Sequence, residues 1–259
     1  MSILNELRKN AFIDIIKKGK RLTDRDFFDY REINIEKDVI DTAAGSALVR
    51  IGETQVLAAI KFAVGEPYSD RPDEGVFSTN AEFVPFANPS FESGPPDENS
   101  IELARVVDRA IRSAEIVDVK SFVLDDGKVL MMFIDLWILD DQGNITDAAG
   151  LAAMGALLCT KIPKYENGVL VREGKLKDLA PKGIVTSHTF GKIADKLYVD
   201  AVLDEDVASE GKITYGVMDD KIVSVQKSGE AGFSKDELFE IMDIAFKKHS
   251  ELKKILKGD

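Results

Sequence analysis

Cysteine is almost missing from this chain of 259 residues, in which Cys159 stands alone. No disulfide can close within it, and an intracellular, cytoplasmic setting is expected. Histidine is nearly as scarce. His188 and His249 lie far apart and show no ligand spacing, so neither a zinc site nor a cofactor is expected. An excess of positive charge is also missing, since 34 Lys and Arg face 46 Asp and Glu for a net charge of −12. A free-standing nucleic-acid binder is usually basic. That balance argues against one, while leaving room for a local basic strip or for partners that supply more positive charge. Long apolar runs are missing too. The longest, Ala148–Cys159, is too short to span a bilayer. The opening MSILNELRKNAF lacks the apolar core of a signal peptide. No membrane association is expected.

What is present suffices for a sizeable core, because 44% of the residues are hydrophobic. The most informative segment is Ile101–Asp118, IELARVVDRAIRSAEIVD. Leu103, Val107, Ala110, Ile111 and Ala114 mark the buried stripe of a helix. Arg105, Arg109 and Arg112 follow at intervals of four and three, within roughly 60° of one another on the helix. Three fixed positive charges in a row suit a run of phosphates. Glu102, Asp108 and Glu115 lie one turn away, so a solvated salt-bridge face is the competing account.

Along the chain, Ile3–Lys18 reads as a helix followed by a charged stretch to Tyr30. Ala47–Lys61 alternates on both sides of Gly52-Glu53-Thr54 and predicts a hairpin. Lys61–Asn80, rich in Gly, Pro and Asp, predicts a long loop, and Ala81–Phe86 a short strand. Asn88–Asn99 predicts a second loop, with Asn99 or Ser100 capping the arginine helix. Ser121–Val129 and Met131–Leu139 predict a strand pair about Asp126-Gly127. Ala148–Thr160 predicts a helix whose small residues allow close approach to a sheet. The runs Lys196–Leu203, Lys212–Met218 and Lys221–Gln226 predict further strands. A helix at Lys235–Leu256 follows, introduced by the capping box Ser234-Lys235-Asp236-Glu237. Strands then helix, twice, predicts an α+β or α/β unit of two halves packed together. Its expected divisions are residues 1–30, 31–180 and 181–259.

Several segments together resemble the RNase PH family. Gly45–Phe62, GSALVRIGETQVLAAIKF, is similar to its first hairpin. Gly94–Asp118, GPPDENSIELARVVDRAIRSAEIVD, is similar to its arginine-bearing helix, and Gln226–Leu238, QKSGEAGFSKDEL, to its last strand-to-helix junction. The resemblance covers nearly the whole chain in order and spacing. It implies an RNase PH-like fold and a six-membered ring in which phosphate attacks the 3′ end of RNA.

The chain departs from the pattern of active members in three places. They carry a segment like ILQADGGTR, whose hydroxyl-arginine end cradles the attacking phosphate. Here Ile138–Thr146 reads ILDDQGNIT, with Ile145-Thr146 in place of that pair and Asp140 and Asp141 nearby. Active members carry EEDxxxxxD, whose last carboxylate serves as acid or metal ligand. Here Asp204–Lys212 reads DEDVASEGK, and Lys212 cannot hold a cation as a carboxylate does. Glu98-Asn99-Ser100 occupies the place of arginines before the helix.

The resemblance therefore points to the non-catalytic RNase PH-like subunits of the archaeal exosome ring. It implies three heterodimers with a catalytic RNase PH-like subunit and a trimeric cap of S1/KH-type RNA-binding proteins. Single-stranded RNA would thread the channel, and Arg105, Arg109 and Arg112 would hold its phosphates. No catalytic residue is expected in this chain. A self-sufficient phosphorolytic 3′-5′ exoribonuclease remains as one alternative, and an unrelated metabolic enzyme or a purely structural ring spacer as the other. Three further features have plain readings. Asp204, Glu205 and Asp206 read as a solvated turn. Lys17, Lys18, Lys20, Arg21 and Arg25 read as an exposed helix end, or equally as a contact to RNA or cap. Asp135, with Trp137 on the same strand face, reads as a buried paired carboxylate.

Overall fold

The computed structural model describes residues 12–21, 23–124, 127–174 and 176–258. Residues 12–17 are helical, and the earlier part of the helix expected from Ile3 lies outside the described residues. The expected hairpin is present as Gly45–Ile51 (β2) and Thr54–Gly65 (β3), in register from Ile51↔Thr54 to Gly45↔Ile60. Its inward residues, among them Val49, Ile51, Val56 and Ile60, are fully buried, as a period of two requires. Ile33–Lys37 (β1), not singled out by the sequence, pairs with the free edge of β2.

The structure corrects the next stretch. β3 runs on through Gly65, and Val76–Phe83 is a strand (β4). The loop expected over 61–80 therefore shrinks to 66–75, and the strand expected at Ala81–Phe86 starts earlier and ends at Phe83. Only Val76, Phe77 and Ala81 of β4 are buried, an irregular pattern that hides the strand. The strand pair expected at 121–139 is instead a 3-10 turn, Val119–Phe122, and one long strand, Val129–Asp140 (β5). β5 is flanked by β3, antiparallel, and β4, parallel, so its edges are filled without a hairpin partner. Asp126 of the expected turn lies outside the described residues. The sheet order is β1-β2-β3-β5-β4. Glu98–Ser113 (α1) is the crossover between the parallel strands β4 and β5.

Ile145–Cys159 (α2) follows β5, beginning three residues before the expected Ala148. Two small ribbons come next. Lys161–Ile162 (β6) pairs with Lys177–Asp178 (β9), and Lys164–Glu166 (β7) with Val169–Val171 (β8). The second half holds Val185–Ile193 (β10), Lys196–Val199 (β11), Gly211–Met218 (β12) and Lys221–Gly229 (β13). Their order is β11-β10-β12-β13, all antiparallel. The halves thus share layers but not strand order, since only the first contains a parallel pair. Leu203–Ala208 (α3) is a helix where a solvated turn was expected. Lys235–Lys257 (α4) opens with the expected capping box, in which Ser234 N–H donates to Glu237 Oε2 at 2.6 Å and Glu237 N–H to Ser234 Oγ at 3.2 Å.

α2 lies between the first sheet and β10 and is buried on nearly every side. This is why it reads AAGLAAMGALL rather than as an amphipathic helix. An added Cβ at Gly155 would sit 2.9 Å from Ala47 Cβ of the first sheet, and one at Gly150 would sit 2.9 Å from Ser187 Oγ of the second. One apolar cluster joins Ile60, Ile134 and Leu151 to Ile184, Leu252 and Leu256, so the two halves share a core.

A buried polar chain runs along the same seam. Asp200 accepts a bidentate pair from Arg31 at 2.8 and 2.9 Å, Arg25 at 2.6 Å and Asn144 Nδ2 at 2.8 Å. Asp147 accepts from Tyr30 Oη at 2.7 Å and Thr189 Oγ1 at 2.7 Å. Tyr30 Oη also meets His188 Nδ1 at 3.1 Å, and Thr186 Oγ1 links His188 to His249 at 2.7 Å on each side. Arg21, read from sequence as part of an exposed basic end, is buried instead. Its Nε and Nη2 grip the buried Glu205 carboxylate at 3.0 and 2.6 Å. The acidic triplet is therefore partly interior. Asp135 is the reverse case, paired as expected with Lys61 Nζ at 2.9 Å but only half-buried on the outer sheet face.

Candidate functional site

α1 begins after the proline pair Pro95-Pro96, and its cap is Asp97 rather than Asn99 or Ser100. Asp97 Oδ1 accepts from Ser100 N–H at 2.8 Å, and this bond holds its carboxyl below the usual range. The expected stripe of Leu103, Val107, Ala110, Ile111 and Ala114 is buried against the sheets. That packing fixes the rotation of α1 and leaves Arg105, Arg109 and Arg112 all exposed on one side.

The three arginines are not equivalent. Arg112 is held in place: Asp108 accepts from Nε and Nη2 at 2.9 Å each, Phe77 O accepts from Nη2 at 3.0 Å, and the guanidinium lies 3.9 Å over the Phe77 ring. Arg109 Nη1 donates to Gln226 Oε1 at 2.7 Å, a neutral partner from β13 that orients the group without cancelling its charge. Arg105 has no hydrogen-bond or ion-pair partner among the described residues. The salt-bridge account thus holds for Asp108 with Arg112, whereas neither Glu102 nor Glu115 is paired with these arginines.

All three line one open cleft of about 1020 Å³ between α1, the 66–75 loop, β4 and the 3-10 turn. Arg71, Lys120 and Lys182 add to it, making six cations against four carboxylates in a chain whose total is −12. Tyr68 also lines it, 61% exposed. Sequence reasoning missed Tyr68 and Arg71 because it treated 61–80 as featureless loop. Two consecutive turns order that segment, with Arg71 N–H donating to Tyr68 O at 3.0 Å and Gly75 N–H to Val119 O at 2.8 Å.

A second, smaller cleft of about 200 Å³ collects the segments that depart from the active pattern. It is lined by Asp141, Asn144, Thr146, Asp206 and Lys212, among others. The β5–α2 turn is closed by its own groups. Gly143 N–H donates to Asp141 Oδ1 at 3.0 Å, and Asn88 Nδ2 to Asp141 Oδ2 at 3.1 Å. The carbonyls of Gln142 and Gly143 are turned to the Arg31 guanidinium at 2.9 and 3.0 Å. A cradle for a phosphate dianion needs free N–H groups and a cation. Here a carboxylate already takes Gly143 N–H, and burial pushes the Asp141 carboxyl up. Asn144, in left-handed conformation at φ 58°, turns its amide inward instead of capping α2. Lys212 Nζ meets Asp206 Oδ1 at 2.6 Å, so its charge is spent on an ion pair.

Family models described as the 3′ exoribonuclease family match residues 29–163 for domain 1 and 183–248 for domain 2. "Exosome complex component Rrp42" of Thermococcus kodakarensis is 42% identical over 265 residues, covering 100% of this chain and 97% of that protein. The protein of the same name from Pyrococcus abyssi is 43% identical over 260 residues, covering 98% and 95%. The solved structure of the Archaeoglobus fulgidus exosome with RNA bound to the active site contains a chain of TM-score 0.91 and 39% identity, covering 98% of this chain and 99% of that one. A chain of an archaeal exosome core has TM-score 0.88 and 36% identity, covering 98% of each. A rice Rrp46 at 15% identity and TM-score 0.67 shares the fold alone.

Proposed function

The chain belongs to the 3′ exoribonuclease (RNase PH) family, and from that premise we propose that it is the non-catalytic RNase PH-like subunit of an archaeal-type exosome ring. Three heterodimers with a catalytic homologue form the ring, and a trimeric S1/KH-type cap feeds it single-stranded RNA. The partner carries out phosphorolytic 3′-to-5′ cleavage. This chain holds RNA phosphates just upstream of the cut, with Arg105 and Arg109 as the principal contacts and Arg112 as a pinned neighbour. It takes no direct part in bond breaking and requires no metal or cofactor.

The observation that carries the reading is a contrast within one molecule. Among the described residues Arg105 has no ion-pair partner and Arg109 only a neutral one, and both face an open cleft. The turn that would cradle phosphate is closed by Asp141, and the Lys212–Asp206 pair lines the same cleft. Such a chain is equipped to hold a polyanion but not to activate an attacking phosphate. The names of its relatives, and the RNA-bound exosome among the solved structures, support the same assignment.

The test is 3′ decay of RNA in phosphate buffer by the pure chain, by the catalytic homologue and by their mixture. Only the catalytic homologue and the mixture are expected to release nucleoside diphosphates, the mixture faster. Arg105→Glu with Arg109→Glu should slow the mixture and weaken its RNA binding while the ring persists on size exclusion. Robust release by the pure chain would establish the self-sufficient enzyme instead. An unaltered rate in the double variant would leave a structural spacer.

A further inference from the structure

Tyr68 is an aromatic ring left mostly in solvent beside a row of guanidinium groups. A tyrosine ring in water leaves a large apolar area uncovered, and here no described aromatic partner packs on it. The segment carrying it is not slack. The turns at Tyr68–Arg71 and Arg71–Glu74 tie it to itself, and Gly75 N–H ties its end to Val119 O. Gly75 seats this junction closely, since an added Cβ there would lie 2.3 Å from Phe122 Cβ and 2.8 Å from Leu130 O. Tyr68 is therefore presented from an ordered wall, with the arginines of α1 lining the same cleft.

The other aromatic of the cleft is already used. The Phe77 ring is buried, with the Arg112 guanidinium 3.9 Å over it, so it offers no free face. Arg112 is also pinned through its Nε and Nη2 donors by Asp108 and Phe77 O. What stays available is a guanidinium at Arg105, another at Arg109, a third at Arg71, whose closest acid Asp70 stands 3.9 Å away, and the Tyr68 ring. Cations that track a backbone and an aromatic face that receives a base are the two components of a single-strand binding groove.

We propose that Tyr68 is a nucleobase-stacking platform, and that Arg71 beside it contacts the adjoining phosphate, so that the cleft holds a nucleotide and not only a charge. This rests on the reading of α1 as a phosphate-binding strip and extends it to the opposite wall. The ligand is single-stranded RNA of any sequence, because every base has a face to stack. The ring interaction is insensitive to salt, whereas the arginine contacts are not.

The experiment uses the assembled ring with its catalytic homologue and a 5′-labelled oligoadenylate. Tyr68→Ala should weaken binding roughly tenfold with the salt slope unchanged, and Tyr68→Phe should bind as the unaltered ring does. A single abasic nucleotide moved along the oligonucleotide should reduce affinity at one position in the unaltered ring, and that penalty should vanish in Tyr68→Ala. Without any substitution, RNA carrying 5-iodouridine should photocrosslink to Tyr68, located by mass spectrometry of the peptide. Absence of that crosslink together with full affinity in Tyr68→Ala would overturn the inference. So would dissociation of the Tyr68→Ala ring, which would make Tyr68 a protein contact. The two readings fail separately. If Arg105→Glu with Arg109→Glu lowers affinity while Tyr68→Ala and the crosslink show nothing, only the stacking platform is wrong. If the charge reversal changes nothing, the phosphate strip itself is wrong.

Discussion

At the scale of single residues, identical side chains on one helix face have different value because their surroundings differ. Arg112 gives its donors to Asp108, to Phe77 O and to the Phe77 ring. Arg105 gives none among the described residues. Arg105→Ala should therefore reduce the salt slope of RNA binding by the ring by about 0.7, one phosphate contact. Arg112→Ala should change that slope less and lower thermal stability more. Equal slopes in the two variants would remove the distinction drawn from their partners. The buried seam supplies a pH prediction. Burial raises the Asp147 carboxyl to about 6 and lowers His188 to about 3. Between pH 4 and 6 folded Asp147 keeps a proton that the unfolded chain has lost, so this group makes stability fall as pH rises. Over the same range folded His188 lacks a proton that the unfolded chain carries, so it makes stability rise with pH. The two oppose each other. Asp147→Asn should steepen the rise of unfolding free energy over this window by about 1.4 kcal/mol per pH unit. Denaturant titrations at several pH values measure it, and an unchanged slope would mean that Asp147 is ionised throughout.

At the scale of elements, two helices show how composition and position agree. α1 is amphipathic and sits at a surface, with a cap that can be removed. Asp97→Ala takes away the acceptor of Ser100 N–H and should cost about 1 kcal/mol. α2 is apolar on all sides because it is covered on all sides, and its glycines mark where each sheet comes closest. Gly155→Val would press a branched side chain on Ala47 and should destabilise by about 1–3 kcal/mol. Gly94→Ala is the control, since an added Cβ there meets nothing within 4 Å. Thermal unfolding of the two variants side by side decides the point, and equal midpoints would show that α2 has room to spare.

At the scale of the whole molecule, the open cleft and the end strands of the sheets fit a chain that functions beside others. β1 and β4 end the first sheet and β11 and β13 the second. β11 is partly covered within the chain, since Val199 N–H donates to Phe27 O at 2.9 Å. Mixing with a catalytic homologue should yield a closed species of about six chains by light scattering, the outcome of a repeated heterologous contact that closes. Two separate small species after mixing would contradict the proposed ring.

Much of this was legible in the residues themselves. The β2–β3 hairpin, the buried stripe of α1 and the capping box of α4 follow from local pattern, because period and cap chemistry act over a few residues, whereas the departures at Ile145, Thr146 and Lys212 were legible only through the resemblance to the RNase PH family. Other features were out of reach. β4 was hidden because an edge strand with three buried residues has no clear period, and the chain from Ser121 to Val129 looked like a strand because nothing local shows that β5 already has two neighbours. Sequence placed Arg105, Arg109 and Arg112 on one face. Only the fold decided that Arg112 is spent on Asp108 and Phe77 while Arg105 stays open, and that Arg21 is buried on Glu205, 184 positions away. Sequence also showed Lys212 in place of a carboxylate, and the fold showed it neutralised by Asp206. The physical reason is the same in each case. Helical and strand periods are set by near neighbours, whereas the availability of a charge depends on which distant groups the folded chain brings within about 3 Å of it.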